Sequence, residues 1–395
     1  MKRVKQIRFW VLVAGILVVV WLFFAWLRPV PELRAVPSVV QPTTSPATSL
    51  PWPAATQSAL GAQGFGLLAA NGAGTSAPMA SLAKIITALA VLKQKPLALN
   101  QPGPTITLSS TDVDYYRAYL AAGGSVVAVT AGEQISQYQA LQAMLLPSAN
   151  NLAESLAVWA FGSMDNYLAY VNQYIKTLGL SNTHMADASG FDPGSISTAQ
   201  DLVKLGLVAL DNPVLSQIVS QDQANVPIAG TVHSTNWLLG TDGIIGIKTG
   251  NTDQAGGCFL FASNRTVSGR QVTLVGAVLG APNLNNAIAD GRTLADASDS
   301  EFELDNSVKA GQVVGSYTVP WGGKVSVAAK KDLAILAWKG QKISLKENLD
   351  KLSAPVSTSK QVGSIVATID GQSVSTQVVL DKAITKPSLS WRLFH

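Results

Sequence analysis

The pattern of apolar and polar positions divides the chain into stretches of different character. Phe9 to Leu27 form an unbroken run of 19 residues without a charge. At about 1.5 Å per residue a helix over this run spans roughly 30 Å, the thickness of a bilayer's hydrocarbon layer. Residues 28–50, RPVPELRAVPSVVQPTTSPATSL, are rich in Pro, Ser and Thr and read as an extended spacer. From residue 51 the pattern becomes mixed. GFGLLAAN (64–71) is strand-like, and PMASLAKIITALAVL (78–92) reads as a buried helix. Residues 133–175 read as mainly helical, with Leu141, Met144 and Leu145 at three-to-four spacing. STAQDLVKLGLVAL (197–210) predicts a helix capped by Ser197 or Thr198. GIIGIKTG, GGCFLFAS and QVTLVGAVLG follow as apolar strands separated by turn residues. After about 304, short β-branched alternating runs such as VVGSYTVPWGGKVSVAA and QSVSTQVVL predict a separate all-β domain.

Composition adds limits. The chain has 395 residues, 47% hydrophobic and 13% charged, enough for a large core. Its net charge of +4 is matched by Lys2, Arg3, Lys5 and Arg8, so the remainder is balanced. Basicity confined to the first residues argues against nucleic-acid binding. The same residues, flanking the apolar run, predict a cytoplasmic N-terminus and an extracytoplasmic remainder. A cleaved signal peptide fits less well, because WLFFAWLRP is bulky where a small-residue cleavage site belongs. The chain has one cysteine, Cys258, so no disulfide forms within it.

Two residues do not suit a greasy helix at 78–92. Ser81 and Lys84 are three apart and therefore share a face. A serine hydroxyl is a poor nucleophile until a base takes its proton, and an amine kept neutral by apolar neighbours is such a base. A helix start also offers free backbone N–H groups to an oxyanion. Alone the pair is weak, since Ser357 and Lys360 repeat the spacing beside the β domain. Ser148 and Asn150 lie between two apolar helical runs, where polar residues are ordinarily a turn, and Ser234 with Asn236 repeats that spacing. Lys248, Thr249 and Gly250 end a strand, where a lysine is ordinarily a solvated edge charge. As chemistry, Lys248 and Thr249 suit an anionic substrate group.

Order separates these sets from chance. S-x-x-K is followed 67 residues later by S-x-N and 100 residues after that by K-T-G. The set resembles the penicillin-binding serine hydrolases, and within them the low-molecular-weight D-alanyl-D-alanine carboxypeptidases. AGEQISQYQALQAMLLPSANNLAESLA, YVNQYIKTLGLSNTHMADASGFDPGSISTAQDLVKL and DGIIGIKTGNTDQAGGCFLFAS extend the resemblance over about residues 55–300. It implies an α+β fold: an antiparallel sheet flanked by helices with an inserted, mainly helical region, as in β-lactamases and penicillin-binding transpeptidases. A small C-terminal all-β domain and an N-terminal transmembrane helix complete it. The expected organisation is a basic segment (1–8), an anchor (9–27), a linker (28–50), a carboxypeptidase domain (51–303) and a β domain (304–395).

Roles follow from the resemblance. Ser81 is the implied nucleophile and Lys84 its base. Ser148 relays protons to the leaving amine, and Asn150 orients Lys84 and the substrate. Lys248 and Thr249 hold the substrate's terminal carboxylate, within a substrate-binding run that includes Gly250 and Asn251. The N–H groups of Ser81 and Asn251 form the oxyanion hole. The implied reaction removes terminal D-alanine from peptidoglycan stem pentapeptides, with β-lactams as covalent inhibitors, no metal and no cofactor. The chain also departs from the pattern. Thr235 stands where relatives often carry arginine, Ala83 precedes Lys84 where threonine is frequent, and GFGLLAANG lacks an acidic residue. The ending SLSWRLFH is too short for the C-terminal amphipathic helix of many relatives, which leaves membrane attachment to residues 9–27.

Other outcomes share these motifs: an endopeptidase cutting wall cross-links, or a transpeptidase. A β-lactamase fits less well, for want of an acidic deacylation loop. A non-catalytic anchored wall-binding protein is disfavoured by the completeness of all three motifs. A metal or histidine hydrolase is disfavoured because His184, His233 and His395 form no ligand-like pair.

Overall fold

A computed structural model describes all residues except 1, 39–44, 48, 55–56, 73, 370–371 and 395. The chain forms two compact units, Thr48–Glu303 and a second that joins Met1–Ala47 to Leu304–His395.

In the first unit five antiparallel strands stand in the order Ile244–Thr252, Gly256–Val267, Arg270–Ala281, Gln57–Ala62 and Gly66–Asn71. Side chains alternate faces along a strand. Helix Ala199–Asp211 approaches through Gly206, which packs on Leu260, Val275 and Ile247. Helix Leu284–Ser298 approaches through Gly291, which packs on Phe259 and Phe261. The two helices therefore cover opposite faces, and the three central strands are buried on both sides. That is why they read as unbroken apolar runs.

The helical region surrounds Ala83–Gln94, which is buried from Ala83 to Leu92. Leu141, Met144, Leu152, Leu156, Val171 and Ile175 from three further helices share its core. The mainly helical stretch 133–175 divides into Gln137–Leu145, Asn150–Phe161 and Met164–Thr177, with the expected turn at Ser148. Ser136 caps the first, accepting from Gln139 N at 3.2 Å while the Gln139 side chain reaches back. Of the two expected caps at 197–198, Thr198 serves, accepting from Asp201 N at 3.2 Å. Helix Ser110–Ala121, with a capping box between Ser109 and Asp112, was not legible in the apolar pattern because it buries no residue fully.

The second unit contains the helix Lys2–Leu27 and a six-stranded sheet. One helix among the described residues is long and apolar enough to cross a membrane, Arg3–Leu27, with a mean hydropathy of 2.6. The sheet core is built from Val314, Tyr317, Val327, Val362, Ile365 and Val378. Part of the Pro-rich stretch departs from the spacer expectation. Leu33 is buried and exchanges backbone hydrogen bonds with Leu352 at 2.8 and 3.0 Å. Ala35–Pro37 then pairs antiparallel with Tyr317–Gly315 as an edge strand. An unpaired sheet edge and one buried leucine outweigh the extended preference of the flanking prolines, and Pro37 is tolerated because it sits at the edge. Residues 39–44 of the expected linker lie outside the described residues.

Candidate active site

Ser81 lies in a one-turn 3-10 segment, Ala80–Leu82, that runs directly into Ala83–Gln94. Two glycines from distant parts of the chain press on this turn. A Cβ at Gly190 would stand 1.8 Å from the Ala80 carbonyl oxygen, and one at Gly250 would stand 3.0 Å from Ser81 N. Gly250 therefore lets the strand Ile244–Thr252 lie against the N–H of Ser81. Ala80 is held at φ 48, an uncommon left-handed value for a residue with a side chain.

Lys84 sits one turn further on, wholly buried. Its Nζ donates to Ser81 Oγ at 2.8 Å, to Asn150 Oδ1 at 2.7 Å and to the Ser189 carbonyl at 2.9 Å. Burial holds its pKa well below the usual lysine value, the charge of Lys248 pushes the same way, and Asp187 opposes both. Three acceptors favour the ammonium form, but loss of solvent is the larger effect and sets the direction. Lys248 is also buried; burial pushes its pKa down to about 7, and its Nζ donates to the Thr249 carbonyl at 3.0 Å.

Ser148 occupies the break between two helices at φ 68. Its Oγ is buried and has no hydrogen-bond partner among the described residues. Leaving a hydroxyl so costs about 1–3 kcal/mol, which marks it as available to an incoming group. Asn150 starts the next helix, and its N donates to the Ser125 carbonyl at 2.8 Å. Thr249 Oγ1 lies 2.5 Å from Thr235 Oγ1, so the residue that stands in place of an arginine does face the third motif.

Ser81, Asn150 and Asn251 line a cleft of about 730 Å³, with Tyr119 and Phe191 on its wall in an edge-on contact at 5.5 Å. Lys84, Ser148, Lys248, Thr249 and Gly250 are buried. All eight residues singled out in the sequence are thus accounted for: two motifs converge on Lys84, and the third lies across Ser81. The decoys do not join them. Lys360 and Ser357 are exposed, linked by a backbone turn at 3.3 Å. Ser234 and Asn236 form a local turn, Ser234 Oγ accepting from Asn236 N at 3.2 Å.

Sequence reasoning missed Asp187 and Ser189. The Asp187 carboxylate accepts from Ser189 Oγ and Ser195 Oγ, both at 2.6 Å, and from the N–H groups of Gly190 and Phe191 at 2.9 and 3.0 Å. That turn aims the Ser189 carbonyl at Lys84. The signal was present as an aspartate followed at once by small residues and glycine in DASGFDPGS. Among the described residues no group of three or more His, Cys, Asp or Glu is gathered as a metal site.

The D-alanyl-D-alanine carboxypeptidase family profile matches residues 59–283. The chain belongs to the D-alanyl-D-alanine carboxypeptidase family. The profile of the penicillin-binding protein 5 C-terminal domain matches residues 302–386 of the second unit. The carboxypeptidase DacA of Escherichia coli K12 is 29% identical over 262 residues; the match spans 64% of this chain and 64% of that curated relative. Among solved structures, the Streptomyces K15 DD-transpeptidase superposes with a TM-score of 0.57 at 27% identity, over 63% of this chain and 98% of that one. Penicillin binding protein 5 from Haemophilus influenzae superposes with a TM-score of 0.59 over 88% of this chain and 100% of that one; at 22% identity it shows the fold. The resemblance read from three spaced motifs, and the α+β fold with a trailing β domain that it implied, are borne out.

Proposed function

We propose that this chain is a serine-type D,D-carboxypeptidase acting on peptidoglycan stem peptides. The observation that carries the reading is one fully buried amine, Lys84, 2.8 Å from Ser81 Oγ and 2.7 Å from Asn150 Oδ1. Neutral Lys84 takes the Ser81 proton as Oγ attacks the carbonyl carbon of the last peptide bond. The N–H groups of Ser81 and Asn251 hold the oxyanion. The C–N bond then breaks, and the departing D-alanine amine collects a proton passed from Lys84 through Ser148. Water attacks the ester on Ser81, returning the hydroxyl and releasing the shortened peptide. Lys248, Thr249 and Gly250 hold the terminal carboxylate, with Thr235 buttressing Thr249. β-Lactams follow the first half of this path and leave a slow ester on Ser81.

The same reading makes Phe9–Leu27, within the apolar helix, a membrane anchor, with Lys2, Arg3, Lys5 and Arg8 on the cytoplasmic side and everything after residue 27 outside. A fluorescent penicillin labels Ser81 in the native chain, and peptide mapping locates the adduct. Absence of label, or label surviving in Ser81→Ala, overturns the site. Release of free D-alanine from a pentapeptide supports the carboxypeptidase; cleavage of cross-linked dimers alone makes the enzyme an endopeptidase. A native protein whose sequence starts near residue 36 refutes the anchor.

A further inference from the structure

The second unit carries a cluster that the reaction does not use. The anchor helix ends at Leu27, and the short helix Leu389–Phe394 lies against that end. Arg392 Nη1 donates to the Trp26 carbonyl and, at 3.2 Å, to the Arg28 carbonyl. The Trp26 carbonyl is in the last turn of the anchor helix and Arg28 follows its end, so Arg392 acts as a cap supplied from the other end of the chain. Trp391 meets Trp321 edge-on at 5.2 Å, and Trp321 Nε1 donates to the Thr385 carbonyl at 2.7 Å. The segment is therefore held at both ends.

Two small recesses flank this junction. One, of about 210 Å³, is lined by Arg28, Pro29, Val30, Pro31, Trp391 and Arg392. The other, of about 380 Å³, is lined by Trp26, Leu27, Lys386, Pro387, Leu389 and Arg392. No carboxylate lines either recess, and among the described residues none pairs with Arg28, Lys386 or Arg392. Trp26, Leu27, Leu389 and Phe394 are exposed beside them, at 62, 52, 50 and 78%. Exposed tryptophan and leucine, three cations with no carboxylate partner among the described residues and the last turn of an apolar span make up the chemistry of a bilayer's headgroup layer.

We propose that this junction is a binding site for anionic phospholipid: Arg28, Lys386 and Arg392 take the headgroup phosphate, while Leu389 and Phe394 enter the acyl boundary. The site rests on the reading of Phe9–Leu27 as a membrane anchor. Its effect is to give the β unit a second attachment to the membrane beside the anchor's exit, where a single span would leave a swivel.

The test uses the full chain in nanodiscs of phosphatidylcholine, with or without phosphatidylglycerol. A nitroxide on Ser390→Cys reports depth; Cys258 is buried and does not compete for label. A label on Ser357→Cys in the exposed loop is the control. The label at 390 is expected at headgroup depth and the label at 357 in water. Phosphatidylglycerol is expected to co-purify with the chain, and its retention to fall about fivefold for each cation removed, in Lys386→Gln and then Lys386→Gln/Arg392→Gln. Lys386 is exposed and its side chain makes no hydrogen bond among the described residues, which keeps Lys386→Gln clear of misfolding. Inorganic phosphate is expected not to displace the lipid. A label at 390 as wet as that at 357, equal lipid retention in the variants, or displacement by inorganic phosphate overturns the proposal while leaving the anchor in place. A chain recovered without residues 1–27 overturns both.

Discussion

Two serine–lysine pairs with the same three-residue spacing sit in opposite surroundings. At Ser357–Lys360 both residues are exposed, on a loop tied by a backbone turn and a contact between Ser357 Oγ and Ser359 Oγ at 3.2 Å. At Ser81–Lys84 the lysine is buried among a core helix, the Asn150 amide and the Ser189 carbonyl. What differs is not the motif but the loss of water around one amine. Desolvation favours the neutral amine over the cation, and an exposed lysine never meets that condition.

The comparison can be broken most directly at the serines. Ser81→Ala is expected to lower penicillin acylation and D-alanine release by about 10⁴-fold or more, and Ser357→Ala to leave both unchanged. Stopped-flow acylation of the two variants decides it, and equal losses would remove the distinction. The lysines come next. Arg keeps the charge but does not release a proton, so Lys84→Arg is expected to cost about 10³-fold in acylation rate, against no change for Lys360→Arg.

A smaller and more diagnostic effect is expected at Ser148. Removing its unpartnered hydroxyl relieves a desolvation cost, so Ser148→Ala should raise Tm by about 2 °C while acylation falls about 10²-fold. Calorimetry and acylation on the same sample test this; a variant that loses both stability and activity would mean the hydroxyl is structural.

The smallest effect is a pH slope. With Lys248 near 7 when folded and at the ordinary lysine value when unfolded, the unfolded chain binds more protons between those values. Its burial penalty is full below about pH 7 and is lifted as pH rises toward 10.5. The Tm advantage of Lys248→Met over the native chain should therefore shrink from pH 7 to pH 10. A constant difference would show that Lys248 stays charged in the fold.

Much of this site was legible because its side chains carry the chemistry: Ser81, Lys84, Ser148, Asn150 and the Lys248–Asn251 run could be picked out by type and spacing. What stayed hidden acts through the backbone. The Ser189 carbonyl has no residue signature, and its aim depends on how Asp187 gathers Ser189, Gly190, Phe191 and Ser195 around itself. Tyr119 reaches the cleft from a helix that buries no residue fully, so periodicity was silent. The strand at Ala35–Pro37 was hidden for another reason: pairing between distant segments leaves no local trace, and a proline-rich edge strand reads like a linker.

That edge strand also fixes an order of assembly. Leu33 and Ala35–Pro37 are made early in synthesis, yet their partners lie in residues 315–352. The unit Thr48–Glu303 is complete before those partners emerge and forms an insertion inside the second unit. The unit that begins the chain is therefore the last one closed. A chain truncated in the β region would keep its first unit folded with the Leu33 strand unsealed, an exposed edge that proteases can recognise.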